Sequence, residues 1–566
     1  MDHEEPLSGL PWLSQPVQLH SSRADTCKLT PEQCVYRRGH WRYWYEADHV
    51  YALNTIYFLC ATVGIFTLIH WGKKFAPLRL KQTVLWKRST TIARYLAYRC
   101  FQLPVLPNSP SLGVMLLGIM GAAFFVVMTL APKPYYWPNT DTLSFGSSPP
   151  IATRSGWMAL ALLPFVLALS AKANLISALT GVSHEKLQIF HHWTSYAMFV
   201  LALVHTFPFI IYHIDQGDMV SKWKSDLTYW TGVAALVPQT YLTVMSLPSI
   251  RNRFYEFFKA THFLAALLFL LFFFFHCDFR LSSWDYFIAT ATIYLLSLTI
   301  SQIKTSLVNG RQHVFIRFLS PQLGLHCLTA HPFTICSIPK GAQPSEMVFY
   351  VQVRGGVTAR LAKIAARDPG RTVRVLVEGG YGGIQSLLPS DSNHLPEETD
   401  TVVVSGGAGA GFSLGVLDGI LTQQRKGKVQ VVYATRSRAV GEWYAGEIAH
   451  RVKAYDAAQV EVLIHITEAS VGARSDSGSC SPSGDSKVDG RVCASPEDSL
   501  LPGRPDLPGL IARMQMQMMQ TPRLAIYVCG PASMVHDVRN AAAAAQRGVL
   551  CGAAGEVLLH TEPFSW

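Results

Sequence analysis

Charged side chains are scarce here. Asp, Glu, Lys and Arg make up 15 % of the 566 residues, against roughly 25 % in soluble chains, so a disordered chain or a purely soluble enzyme is a poor fit. There is no basic stripe either. The net charge is +11, but the cations sit between apolar runs, which excludes nucleic acid as the partner and points to membrane orientation. Eleven cysteines are too few for a disulfide scaffold, and an odd number cannot all pair. The first 49 residues are polar and acidic and hold no secretory signal, so the first apolar span is expected to be an uncleaved anchor. What is abundant is apolar surface: 49 % hydrophobic residues and a mean hydropathy of +0.20, most of it within 50–305. The remainder reads as a soluble α/β protein, and the length requires at least two domains.

Seven apolar stretches approach the roughly 20 residues that cross a bilayer: 50–70, 111–131, 156–173, 192–212, 229–247, 260–277 and 284–304. The fifth is the weakest, interrupted by Pro238 and diluted by Thr and Gln. Six or eight spans are alternatives, and seven fits best. Residues 72–110 carry eight cations, among them Lys73, Lys81, Arg88 and Arg99, and no acid; this marks a cytosolic loop. Arg251, Arg253 and Lys259 put 248–259 on the same side. Asp141, Asp215, Asp218 and Asp226 fall in the opposite loops. The N-terminus is therefore expected outside and the C-terminus in the cytosol. Cys27 and Cys34 lie in the outside tail, where they either bridge or stay free.

The fourth span holds His191, His192 and His205, and the sixth holds His262 and His276. Two pairs share a 14-residue interval. At 3.6 residues per turn, 14 steps return to within about 40° of the start and climb roughly 21 Å. Each helix thus shows two imidazoles on one face near opposite edges of the hydrocarbon. With one span between them the two helices run in the same direction, so His191 is expected to face His262 and His205 to face His276. Facing imidazoles supply both axial ligands of a haem, and intramembrane histidines are costly unless used. His192 competes for the inner position, but its 13-residue step breaks the match. His70, His184 and His213 near span ends read as packing residues.

After the seventh span, strand-like runs at 313–319, 347–353 and 372–377 suggest a small antiparallel barrel. Beyond 400 the pattern becomes strand–helix alternation, with strands at 401–405, 429–435, 460–467 and 523–529, the signature of a doubly wound parallel sheet. Its first strand enters Gly406-Gly407-Ala408-Gly409-Ala410-Gly411 and then a helix. Small residues let a backbone approach a pyrophosphate, and the helix start supplies amide donors. Arg436 and Arg438 follow the next strand, where a 2′-phosphate would sit; this favours NADPH over NADH, the alternative being solvated loop arginines. Residues 469–508, rich in Ser, Gly, Asp and Pro, read as a disordered surface insertion. Met514, Met516, Met518 and Met519 read as core packing or a contact surface rather than as a copper site.

His331-Pro332-Phe333-Thr334, followed by Ser337, resembles the flavin-binding signature of the ferric reductase and NADPH oxidase superfamily of transmembrane flavocytochromes b. Further matches follow in order. Arg354-Gly355-Gly356-Val357-Thr358 looks like the turn that holds the FAD pyrophosphate. Glu378-Gly379-Gly380-Tyr381-Gly382 resembles the family's EGPYG, and Cys529-Gly530-Pro531 its CGP at the nicotinamide. Thr561-Glu562-Pro563-Phe564-Ser565-Trp566 is similar to the fungal terminus beside the flavin, with Phe564 or Trp566 over the ring. The resemblance covers about 110–566 and is nearest to fungal ferric-chelate reductases. Gly380 stands where the family has Pro and Ala408 where it has Ser, and the outer tail is short.

The resemblance implies a tail at 1–49, a bis-haem membrane domain at 50–305, an FAD-binding β-barrel at 306–395 and an NADPH-binding α/β domain at 396–566. It implies two b-type haems, FAD and NADPH, with electrons passing to extracytosolic Fe(III) chelates such as siderophores, or to Cu(II), in support of iron uptake. The alternative is a superoxide-generating oxidase that reduces O2 at the outer haem. The plasma membrane is the expected location, a vacuolar or other endomembrane the alternative.

Overall fold

The computed structural model describes residues 30–32, 44–102, 109–132, 149–305, 313–337, 346–381, 399–423, 427–454, 460–468, 500–517, 523–552 and 555–562. The tail cysteines Cys27 and Cys34, together with Gly382, Phe564 and Trp566, lie outside them. The chain divides into two units. One comprises Met1–Ala76 and Gly118–Ser301, the other Pro77–Leu117 and Gln302–Trp566.

In the first unit every apolar stretch of the sequence forms a helix: α1 (Trp44–Phe75), α3 (Leu112–Leu130, its first turns in the other unit), α4 (Pro150–Ser170), α5 (His184–Asp215), α6 (Leu227–Met245), α7 (Tyr255–Cys277) and α8 (Ser283–Thr305). Among the described residues, five helices are long and apolar enough to cross a membrane: those over His49–Phe75, Leu112–Leu130, Ile151–Ser170, His184–Asp215 and Phe257–Cys277. The other two, α6 and α8, are more polar. In α6, Thr228, Thr231 and Gln239 are buried within the unit, and Pro238 lies inside the helix.

Helix α4 is the central one. Its Ile151–Ser170 segment is 72 % buried, against 17 % or less for the other four. Met158, Leu162 and Leu163 pack there against Met198 and Leu201 of α5 and Phe269 of α7. The α4 helix ends where Asn174 folds back and its amide donates to the carbonyls of Ala168 (2.7 Å) and Leu169 (3.2 Å), satisfying groups a helix end leaves open.

In the second unit a three-stranded antiparallel sheet has the order β2–β1–β3, formed by β1 (His313–Phe318), β2 (His331–Thr334) and β3 (Val375–Tyr381). Residues 347–353 are not a strand, although their β-branched and aromatic run reads as one. They run as irregular chain, joined to the segment after β2 by the Cys336 amide donating to the Val348 carbonyl at 2.8 Å. Helix α9 (Gly356–Arg367) precedes β3.

The six-stranded parallel sheet has the order β7–β6–β5–β4–β8–β9. Its strands are β4 (Asp400–Gly406), β5 (Val429–Thr435), β6 (Val460–Ile466), β7 (Leu500–Pro502), β8 (Arg523–Cys529) and β9 (Glu556–Glu562). Helices α10 (Ala410–Thr422), α11 (Arg438–Ala454), α12 (Leu507–Gln517) and α13 (Ala532–Leu550) cover it. Strands β4, β5 and β8 are nearly continuous runs of buried residues, as a sheet covered on both faces demands. The end of the expected disordered insertion is corrected: 500–508 forms β7 and the start of α12, because the apolar Leu500 extends the sheet beside Ile464. Residues 469–499 lie outside the described ones.

Helix α2 (Val84–Tyr98) comes from the basic loop between α1 and α3, yet it belongs to the second unit. Its position in sequence, between two apolar spans, suggests the membrane domain instead. Its contacts explain the difference. Arg94 pairs with Glu556 of β9, which Arg523 also grips. The amide of Leu559 on the sheet's edge strand donates to the Tyr98 hydroxyl at 3.1 Å. Asn540 of α13 accepts from the Cys100 amide at 3.1 Å. An open sheet edge needs cover, and α2 gives β9 part of it.

Candidate functional site

The histidines of α5 and α7 make the first part of the site. His205 and His276 face each other, ring centres 5.7 Å apart and planes at 77°. Two imidazoles bonded to one metal at about 2 Å each set their centres roughly 6 Å apart, so the pair is spaced for a metal between them. In both rings Nδ1 sits against a backbone carbonyl, that of Ala152 on α4 and that of Thr228 on α6, each at 2.7 Å. Donation from Nδ1 fixes the tautomer and leaves Nε2 with its lone pair free, the arrangement a metal-ligating histidine needs.

A glycine one turn beyond each carbonyl makes the space. A Cβ on Gly156 would fall 2.5 Å from His205 Nδ1, and one on Gly232 2.8 Å from His276 Nδ1. Ala152 and Gly156 on α4 thus repeat the i, i+4 arrangement of Thr228 and Gly232 on α6. Nothing in the sequence reading singled out these glycines.

At the other level, His191 Nδ1 meets the Val166 carbonyl of α4 at 2.9 Å. His262 and His192 lie within electrostatic reach of each other and of His191. The His191 and His192 rings are 5.8 Å apart. His262 Nδ1 is buried without a hydrogen-bond partner among the described residues. His213, by contrast, is occupied by Asp218 at 2.7 Å. Arg154 is buried in α4, where its guanidinium donates to the carbonyls of Pro132 (2.8 Å) and Thr129 (3.3 Å); the sequence reading missed it too.

In the second unit, the strand order reverses between the parallel neighbours β4 and β8, the crevice where open α/β sheets bind ligands. The turn Gly406, Gly407, Gly409, Gly411 follows β4, and Cys529, Gly530, Pro531 follow β8, so the two motifs meet there. Their glycines permit it. A Cβ on Gly409 would strike the Cys529 carbonyl group, and one on Gly406 would come within 3.0 Å of Pro531. Gly407 has φ +58°, which favours glycine, and its carbonyl accepts from the Tyr433 hydroxyl at 2.9 Å.

The flavin-signature segment joins this crevice. Gly411 leaves room for Cys336, whose Sγ would lie 2.5 Å from a Cβ there. His331 is buried and contacts the Thr329 hydroxyl at 3.0 Å. Pro332 pairs with Phe315 across β1. Phe333 packs edge-on to Phe318 and Phe349. Thr334 ends β2 opposite His313, and the Ser337 hydroxyl accepts from the Val348 amide at 3.0 Å. In the Arg354–Thr358 turn, the Arg354 amide donates to the Thr358 hydroxyl at 3.0 Å. Gly356 has φ +58° and starts α9, so exposed amides at a helix start are available to an anion. Arg354 is exposed. Gly379 and Tyr381 lie on β3, with Tyr381 paired to His313.

Of the two arginines expected at a 2′-phosphate, Arg436 is exposed beyond β5, while Arg438 is engaged by Glu442 at 2.9 Å. Burial pushes the Cys336 thiol up to about 11, and burial together with Glu562 raises that of Cys529. Both are therefore neutral thiols near pH 7, not nucleophiles. Met514 packs in the sheet core while Met516 is exposed; Met518 and Met519 lie outside the described residues.

One chain therefore carries apolar helices with facing imidazoles, a small antiparallel sheet bearing the flavin-signature residues, and a doubly wound parallel sheet. Comparison with known families agrees. "Ferric reductase like transmembrane component" matches residues 155–273, "FAD-binding domain" 287–385 and "Ferric reductase NAD binding domain" 399–543. The chain is thus similar to ferric reductases over its apolar helices and carries regions that match FAD-binding and NAD-binding domains. Among its relatives, the "Probable cell surface ferric reductase kap2" of Aspergillus oryzae is 30 % identical over 64 % of this chain and 54 % of its own length. The "Ferric/cupric reductase transmembrane component 7" of Saccharomyces cerevisiae is 28 % identical over 53 % of this chain and 52 % of its own. The chain thus spans about half the length of the curated relatives it matches.

Proposed function

We propose that this protein carries electrons from cytosolic NADPH, through FAD and two b-type haems, to Fe(III) chelates such as siderophores on the far side of the plasma membrane, with Cu(II) as a second acceptor, in support of iron uptake. The observation that carries the reading is the His205–His276 pair, its Nδ1 atoms tied back to carbonyls and its Nε2 atoms left free, in one chain with the flavin and dinucleotide motifs. When bound, the flavin supplies the change from a two-electron hydride to single electrons, and the haems supply one-electron carriers.

The residues then have separate duties. His205 and His276 hold the outer haem, and His191 and His262 the inner one. The stretch from His331 to Thr334 with Ser337 holds the flavin, and Arg354, Gly356 and Thr358 its pyrophosphate. Phe564 or Trp566 covers the ring until nicotinamide arrives. Gly406, Gly407, Gly409 and Gly411 admit the NADPH pyrophosphate. Gly379, Tyr381, Gly382, Cys529, Gly530 and Pro531 border the nicotinamide. Arg436 and Arg438 face the 2′-phosphate, Arg438 exchanging Glu442 for it. No side chain need act as general acid or nucleophile, and the neutral thiols keep charge away from the hydride path.

Cells producing the chain, or its His276→Ala variant, should be assayed together for Fe(III)-chelate reduction and for superoxide. Chelate reduction that survives superoxide dismutase and is lost in the variant is the expected result. Reduction abolished by the dismutase would make the protein an oxidase, and purified protein with no b-type haem spectrum would overturn both readings.

A further inference from the structure

Helix α2 has two faces that meet different surroundings. Thr91, Arg94, Tyr95 and Tyr98, spaced i, i+3, i+4, i+7, share one side of the helix. That side holds the nucleotide-binding sheet. Thr91 is 3 % exposed, Arg94 pairs with Glu556, and Tyr98 takes the Leu559 amide. Leu85, Ser89, Ile92 and Leu96, spaced i, i+4, i+7, i+11, form a second stripe roughly 140° away. Its apolar members Leu85 and Ile92 are uncovered, 80 % and 50 % exposed, Ser89 is exposed between them, and Leu96 at the far end is half-buried. The preceding turn, Leu78–Lys81, continues the pattern with Leu78 75 % exposed.

The surrounding charge has one sign. Residues 72–110 contain eight cations and no acid, and Lys73, Lys74, Arg79 and Arg88 are exposed. In sequence the segment leaves α1 at Phe75 and enters α3 at Leu112, both apolar enough to span a membrane. An apolar stripe among exposed cations, between two spans, is the pattern of a helix lying in the headgroup region of an anionic leaflet.

We propose that the Leu78–Ile92 face of this segment binds an anionic phospholipid surface, while the opposite face of α2 holds the edge of the nucleotide-binding sheet. The cations meet lipid phosphate and carboxylate groups, and Leu78, Leu85 and Ile92 enter the acyl boundary. The inference stands apart from the electron path.

The test uses the whole chain in nanodiscs of phosphatidylcholine, alone or mixed with phosphatidylserine, read by amide hydrogen exchange. With phosphatidylserine, exchange across residues 78–93 should slow at least about fivefold, the effect of roughly one cation at an anionic surface. Exchange in β9 should not change. Arg79→Glu with Arg88→Glu, both exposed and away from the sheet, should return the phosphatidylserine rate to the phosphatidylcholine rate. Equal exchange in the two lipids of the unsubstituted chain overturns the proposal. So does slow exchange that ignores both lipid charge and the substitutions, since a second copy or the chain's own helices would then cover the face.

Discussion

Glycine performs the same task in both units of this protein but leaves different traces. In the nucleotide unit Gly406 ends β4, Gly409 sits in the turn and Gly411 lies in the first turn of α10, where the missing Cβ atoms let the residues after β8 and the Cys336 segment close in. In the membrane unit Gly156 and Gly232 sit inside regular helices, where the missing Cβ atoms admit the rings of His205 and His276. Turn glycines announce themselves through clustering and context. A glycine within an apolar helix looks like any other small residue, and only its neighbour across the bundle explains it. The comparison also separates two kinds of obstruction, since a backbone cannot yield whereas a side chain can.

That difference ranks the expected effects. Gly409→Ala drives a methyl group into the Cys529 carbonyl of a buried strand. It should cost about 3 kcal/mol or more, seen as a lower unfolding temperature and poor flavin retention. Next comes Gly156→Ala. The fold should survive, but His205 must leave its carbonyl, and retention of the haem proposed between His205 and His276 should fall about ten- to hundredfold, measured as haem content and the dithionite-reduced spectrum. Normal haem content would show that the helix glycine makes no room and would break the comparison. Gly411→Ala should be mild, within about 1.5 kcal/mol, because Cys336 Sγ can swing aside; adding Cys336→Ala should cancel the loss.

The smallest effect concerns charge rather than space. Burial would raise the Glu556 carboxyl, but Arg94 and Arg523 outweigh it and hold it below the usual range. A depressed carboxylate stabilises above its unfolded value, near 4.3, and the gain is lost as the pH falls through the folded value. Glu556→Gln should therefore cost about 1 kcal/mol at neutral pH, the gap to the unsubstituted chain closing in acid. A gap that widens on acidification would refute the assignment.

Much of this was legible beforehand. The parallel strands fall where the apolar runs put them, within a residue at β4, β5, β6 and β8, because a sheet covered on both faces needs uninterrupted β-branched residues. Strand β9 was not read, since Glu556 and Glu562 bracket a short run at the chain's end, and pairing with β8 is what makes it a strand. Residues 347–353 have the β-branched and aromatic composition of a strand, but they form no ladder among the described residues. The 14-residue intervals put each histidine pair on one helix face, yet could not show that His205 and His276 take their carbonyls from α4 and α6 while His262 Nδ1 takes none among the described residues.

Periodicity, spacing and local motif are properties of neighbours along the chain, and these alone determined the helices, the parallel sheet, the basic loop and the imidazole intervals. Contacts between residues distant in sequence belong to no local pattern. Tertiary structure therefore decided that α2 joins the nucleotide unit through Arg94 and Tyr98. It also decided that the two glycine-containing turns share one crevice, and that helix glycines make the space for the paired rings.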